Sequence, residues 1–255
     1  ILLDVDGVLT VSGEAIAGGA AAVDRMRRDG HRLRFVTNNT TRSRATLAAE
    51  LRELGIELGD DELQTTGTAA ARALAGKRVL ALTMHGIVDD LGGIEIVGEG
   101  ADAVLIGGAD ETLETNQVFT YTNLARAFHE LEAGAELYCL HKNRWWQTAR
   151  GPLLDTGAFV AGLEYAADVE ATVLGKPSAT YFTAALEALD AEPELTWMVG
   201  DDIEADIAGA QRFGLRTVLV RTGKFRPDAV EQGDVRPDGI VSSIAHLPDW
   251  LETAR

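Results

Sequence analysis

The chain opens Ile1-Leu2-Leu3-Asp4-Val5-Asp6-Gly7-Val8-Leu9-Thr10, and the reading of this stretch decides the rest. An apolar run ending abruptly in carboxylates is the pattern of a strand buried on both faces. Residues 1–5 are read as that strand. Asp4 and Asp6 stand two apart in extended chain and point the same way. Gly7 lets the backbone turn and brings its N–H near a ligand. A polar turn capping the next segment is the plain structural alternative. A calcium loop needs regularly alternating oxygen ligands, and Val8 and Leu9 interrupt that alternation.

Working outward, short apolar runs alternate with amphipathic stretches. Residues 18–29 read as a helix carrying Val23 and Met26, stopped by Gly30; residues 32–37 as a strand; residues 42–54 as a helix with Leu47, Leu51 and Leu54 on one face. From about Thr66 a second series begins. Its strands are 79–83, 103–106 and 137–140, and its helices are 121–131 and 158–167, the former with Leu124, Phe128 and Leu131 inward. The first style then returns. Residues 172–174 are a strand, 178–189 a helix capped by Ser178, 197–199 a strand, 203–213 a helix and 217–220 a strand. A last helix carries Ile244, Leu247 and Leu251. Such alternation predicts an α/β protein: a Rossmann-like, doubly wound parallel sheet with an inserted α/β module. The expected parts are core 1–66, insert 67–169 and core 170–255.

Ligand sites in open α/β sheets lie beyond the carboxyl ends of strands. Three further clusters follow expected strands: Thr37-Asn38-Asn39-Thr40, Gly175-Lys176-Pro177-Ser178, and Gly200-Asp201-Asp202-Ile203-Glu204-Ala205-Asp206. Each has an ordinary explanation alone: a helix start, a solvated lysine, acidic residues in a first helical turn. Together they would converge on one sheet edge. Each like-charge pair among Asp4, Asp6 and Asp201 at ~4 Å would cost roughly 4 kcal/mol at an effective dielectric near 20. A divalent cation is the simplest remedy. Hard oxygen ligands without a nearby His or Cys select Mg²⁺ over zinc. Thr37 and Lys176 supply what a bound phosphate needs.

Composition narrows the partners. The formal net charge is −17 over 255 residues, a surface that repels nucleic acid. No apolar run approaches the ~18–20 residues that span a bilayer, and no leader is visible at Ile1. The single Cys139 excludes an internal disulfide and a cysteine-based zinc site. It stands in an apolar stretch and reads as a buried, inert thiol. A cytoplasmic protein is expected. The five histidines, His31, His85, His129, His141 and His246, show no ligand spacing.

The four clusters, in this order, resemble the motifs of the haloacid dehalogenase superfamily. There is no room for a cap between Asp6 and the first helix. The insert lies between the Thr37 and Lys176 motifs, as in subclass IIA with its C2-type α/β cap. Further stretches, Gly151-Pro152-Leu153-Leu154-Asp155, Val173-Leu174-Gly175-Lys176-Pro177 and Arg221-Thr222-Gly223-Lys224-Phe225-Arg226-Pro227, look like the phospholysine phosphohistidine inorganic pyrophosphate phosphatase branch. Trp145-Trp146 stands where that branch tends to carry paired tyrosines. One departure is Asp6, where close relatives often carry Ser; it favours ordinary phosphatase chemistry and weakens transfer of the branch's substrate preferences.

The resemblance implies a Mg²⁺-dependent phosphatase acting on a small phosphorylated substrate, a phosphomonoester or pyrophosphate. It makes Asp4 the nucleophile and Asp6 the acid and base. The metal would be held by Asp4, the Asp6 carbonyl and Asp201. Gly7, Thr37, the Asn38 N–H and Lys176 would bind the phosphoryl group, with Asp202 and Asp206 in outer metal contacts. Relatives commonly form cap-mediated homodimers. In the segment His141-Lys142-Asn143-Arg144-Trp145-Trp146 the tryptophans either line a substrate cleft or pack in the insert's core, and the sequence leaves both open. Phosphoryl transfer to a sugar hydroxyl, as in a mutase, is an alternative activity. A retired enzyme kept for binding is another, disfavoured because Asp4, Asp6, Lys176 and Asp201 are all present.

Overall fold

A computed structural model describes residues 1–148 and 151–254, and of 146–148 and 151 only the backbone. The chain forms two compact units. One holds Ile1–Thr37, Ala45–Gln64 and Lys176–Arg255; the other holds Asn38–Arg44 and Thr65–Gly175.

The first unit is built on a six-stranded parallel sheet. Its spatial order is Gly239–Val241, Arg216–Val220, Trp197–Gly200, Leu2–Asp4, Arg34–Val36, Leu63–Gln64. Leu2 and Leu3 are fully buried, as a strand covered on both faces requires. The chain winds outward from Leu2–Asp4 through Arg34–Val36, and later winds the other way from Trp197–Gly200. The reversal falls between these two neighbours, which pair Leu2 with Met198 and Leu3 with Val199. A crevice beyond the strand ends forms at such a reversal, and Asp4 and Asp201 are the residues it receives. Helix Gly19–Arg28 covers the sheet with Ala22, Val23 and Met26, and helix Arg44–Glu53 with Leu47, Ala48 and Leu51. Ile244, Leu247 and Leu251 join the same core.

The second unit has its own five-stranded parallel sheet, ordered Thr172–Val173, Glu136–Cys139, Ala103–Ile106, Arg78–Leu82, Glu95–Ile96. Helix Tyr121–Glu132 packs on it through Ala127 and Leu131, helix Gly157–Ala167 through Val160 and Leu163. The strands Trp145–Thr148 and Gly151–Leu154 form an antiparallel hairpin. Segment Asn38–Arg44 nests in this unit against glycines. A Cβ on Gly108 would lie 2.3 Å from the Thr40 hydroxyl oxygen, and one on Gly86 2.6 Å from the Thr41 carbonyl.

Four expectations need correction. Strand Thr172–Val173 pairs with Tyr138 and Cys139, so it belongs to the second sheet, and the chain re-enters the first unit at Lys176. Periodicity marks a strand without naming the edge it joins. Residues 203–213 are not one α-helix: Ile203–Ala208 is π-helical, and only Gly209–Arg212 is α. The strands Leu63–Gln64, Gly239–Val241 and Glu95–Ile96 and the hairpin were not expected, because two to four residues carry almost no period. Trp145 is 51% exposed, which overturns packing in the insert's core for that residue; the Trp146 side chain lies outside the described residues. No described helix is long and apolar enough to cross a membrane.

Candidate active site

Strand Leu2–Asp4 delivers Asp4 into the crevice, 6% exposed. Its Oδ1 accepts the Val5 N–H at 2.8 Å and the Lys176 ammonium at 2.7 Å. Lys176 arrives on the turn before helix Ala179–Leu189 rather than at the end of a strand of this sheet. It is 3% exposed, and its Nζ also lies 2.7 Å from Asp206 Oδ1. Burial disfavours the ammonium, but Asp206 and Asp4 outweigh this and hold its pKa above the ordinary lysine value.

The strand Trp197–Gly200 ends directly before Asp201, whose Oδ2 accepts the Lys224 N–H at 2.6 Å. Gly7 turns at φ +88°, where a Cβ would fall 1.9 Å from Asp201 Oδ2; only glycine admits this approach. Asp206 comes in on the π-helical turn. The Asp206 and Ile207 N–H groups both donate to the Asp202 carbonyl, at 3.0 and 3.2 Å. A Cβ on Gly200 would lie 2.3 Å from the Asp206 Cβ, so Gly200 makes room for it. Widened turns of this kind are frequent at functional sites.

Asp4, Asp201 and Asp206 each offer an oxygen within 4.8 Å of the others. Burial pushes the Asp4 carboxyl up to about 6, with Lys176 opposing and Asp201 adding to the rise. Asp201 and Asp206 are likewise raised, first by burial and then by neighbouring carboxylates. Three buried carboxylates against one buried ammonium leave uncompensated negative charge. The donors are hard oxygens with no His or Cys in the cluster, a set that fits Mg²⁺ or Ca²⁺ rather than a softer metal. Asp206 is therefore better placed than the sequence suggested. Asp202 faces elsewhere: it caps the turn through the Glu204 and Ala205 N–H groups, at 3.0 and 3.1 Å, and pairs with Lys224 Nζ at 3.2 Å.

Asp6 is exposed, and its turn closes with the Gly7 N–H donating to the Thr10 carbonyl at 2.6 Å. The Thr37 hydroxyl reaches Asp6 Oδ2 at 3.5 Å, the long limit of a hydrogen bond. Thr37 is buried at the end of strand Arg34–Val36. Asn38, the next residue, begins the second unit. Sequence reasoning missed Tyr181. This fully buried phenol accepts the Thr37 N–H at 3.0 Å and lies 2.8 Å from the Gln64 carbonyl, which can accept its proton. It ties together the ends of two strands. The available signal was its place three residues after the Ser178 cap, on the buried helix face.

Comparison with known proteins places the chain in a family. The family described as Haloacid dehalogenase-like hydrolase matches residues 1–96, and a second, HAD-hydrolase-like family matches residues 173–247. A phospholysine phosphohistidine inorganic pyrophosphate phosphatase of Xenopus laevis is 40% identical, covering 98% of this chain and 93% of that protein. Among solved structures, a p-nitrophenyl phosphatase from Archaeoglobus fulgidus superposes with a TM-score of 0.89 at 27% identity, covering 98% and 97% of the two chains. The glycerol phosphate phosphatase of Mycobacterium tuberculosis, solved in complex with calcium, has a TM-score of 0.83 at 28% identity, covering 96% of this chain and 73% of that one. With its motifs, parallel-sheet fold and full-length likeness in agreement, the chain belongs to the haloacid dehalogenase-like hydrolases and is an enzyme of their phosphatase class.

Proposed function

We propose that the protein hydrolyses a small phosphorylated metabolite, a phosphomonoester or pyrophosphate, through an aspartyl-phosphate on Asp4 and with Mg²⁺ in the carboxylate cluster. The observation that carries this reading is a buried Asp4 facing Lys176 at 2.7 Å within a group of three carboxylates. Asp4, Asp201 and Asp206, with the Asp6 carbonyl, would hold the ion. When bound, Mg²⁺ would shield the nucleophile and the phosphate from each other's charge.

The protein's own groups divide the remaining work. Asp4 Oδ1 is engaged by Val5 and Lys176, which leaves Oδ2 to attack phosphorus. An Oδ2–P bond forms as the bond from phosphorus to the leaving oxygen breaks. Asp6 gives its proton to that oxygen. It then takes a proton from the water that attacks phosphorus, which breaks the Oδ2–P bond and restores Asp4. Asp6 is exposed, so product and water can reach it between the two steps. Lys176, Thr37 and the Asn38 N–H stabilise the charge on the phosphoryl oxygens. The unit formed by Asn38–Arg44 and Thr65–Gly175 is assigned as the C2-type cap and with it the choice of substrate. Asp4→Asn decides the matter. Hydrolysis of p-nitrophenyl phosphate should vanish while circular dichroism stays unchanged; substantial remaining turnover would overturn the nucleophile.

A further inference from the structure

We propose that residues 222–224, in the turn after strand Arg216–Val220, form a positioning loop that locks the Asp201 carboxylate to the Gly7 turn and so sets the cluster's affinity for its divalent cation. The proposal rests on the cation reading above. None of these residues lies in the four clusters from which the site was first read.

The loop grips both partners at once. The Thr222 hydroxyl donates to the Gly7 carbonyl, and the Lys224 N–H donates to Asp201 Oδ2. Between them, Gly223 adopts φ +58°, and a Cβ there would fall 1.9 Å from Asp201 Oδ2 and 2.6 Å from Gly7 Cα. A Cβ on Gly7 would fall at the same 1.9 Å from that Oδ2. Two left-handed glycines from two separate loops thus both leave room for one carboxylate oxygen, and a backbone N–H holds it. The Lys224 ammonium, 3.2 Å from Asp202 Oδ2, fastens the loop to the start of the π-helical turn that carries Asp206.

A carboxylate held by one oxygen cannot rotate, so the direction of its other oxygen is determined by the loop. Gly7 follows Asp6, whose carbonyl would also face the ion, so the Thr222 bond places a second donor. Hydrogen-bond partners of this kind typically change metal affinity ~10–100-fold when removed. Thr222, Gly223 and Lys224 act through Asp201 and Gly7.

The test is calorimetric titration of Mg²⁺ into the metal-stripped protein, with thermal melts in EDTA to confirm folding. Gly223→Ala and Thr222→Val should weaken binding about tenfold or more, and Thr222→Ser should bind as the wild type does. In turnover the two weakened variants should regain much of their kcat at high Mg²⁺ with an unchanged KM for substrate. If Gly223→Ala does not fold, Thr222→Val with Thr222→Ser decides. Folded variants that bind Mg²⁺ within twofold of wild type would overturn the loop's role and leave the cation reading intact. A wild type that binds no Mg²⁺ would overturn the cation reading and the loop with it.

Discussion

Each unit buries a polar cluster beside its sheet, and the two clusters are resolved in opposite ways. In the second unit Asp90 and Asp155 each have donors of their own. Asp90 accepts the Arg44 N–H at 2.8 Å and the Thr65 hydroxyl at 3.0 Å. Asp155 Oδ1 accepts the Thr156 N–H and hydroxyl at 2.7 and 3.0 Å. His141 Nδ1 accepts the Asn143 N–H at 3.2 Å, and its Nε2 meets the Thr40 hydroxyl at 3.2 Å. In the first unit, Asp4, Asp201 and Asp206 crowd round Lys176. Burial of polar groups is common to both clusters and does not mark a reactive site. The two differ in the charge left over: the first cluster sets three carboxylates against one ammonium.

The largest expected effect breaks the first cluster. Lys176→Met leaves Asp4 and Asp206 buried without their cation, and losing one partner of a buried ion pair costs about 3–5 kcal/mol. Urea unfolding in EDTA should show this loss, and p-nitrophenyl phosphate turnover should disappear. Asp155→Asn, which keeps an acceptor, should cost about 1 kcal/mol in the same assay. If the two variants lose equal stability, the contrast between the clusters is wrong.

The next effect is a pH-dependent response to metal. The carboxyls of Asp4, Asp201 and Asp206 are raised in the folded state, so the folded protein holds protons that the unfolded chain has released. This contribution to stability is present at acid pH and is lost as pH rises from the ordinary aspartate value through the raised ones, about 6 for Asp4. Metal competes with those protons. Mg²⁺ should therefore raise the melting temperature more at pH 8 than at pH 5, with about 2.7 kcal/mol of stabilisation at a hundredfold excess over Kd. A larger shift at pH 5 would refute the charge argument.

A smaller effect probes the second unit. Asp90→Ala removes the acceptor shared by Arg44 and Thr65 and should cost about 1–3 kcal/mol, with the Mg²⁺ response unchanged; calorimetric melts with and without Mg²⁺ measure both. The smallest effect is none at all. Burial pushes the Cys139 thiol up to about 12, so native protein should not react with Ellman's reagent until it is unfolded.

The residues of the site were far more legible than their arrangement. Asp4, Thr37 and Asp201 could be placed because each directly follows an apolar run that forms a strand of the first sheet. The strand before Lys176 pairs in the second sheet, so its position beside Asp4 does not follow from strand order. By residue type alone Asp206 reads as an acidic residue in a first helical turn, and the resemblance gives it only an outer metal contact. Its inward turn depends on the π-helical geometry and on the missing Cβ of Gly200, neither of which leaves a periodic trace. Thr222, Gly223 and Lys224 were visible only as part of a resemblance, because a loop's partners lie far off in the chain.

Local order along the chain was enough to establish an α/β protein and to single out carboxylates that follow buried strands. These follow from hydrophobic period and residue type, which act over a few neighbouring residues. Tertiary structure alone decided which edge a two-residue strand joins, which of the aspartates crowd together, and which glycines admit them. Those outcomes depend on close approach between segments some 200 residues apart, such as Gly7 and Gly223 around one oxygen of Asp201. Contact of that kind is set by packing, and packing has no local signature.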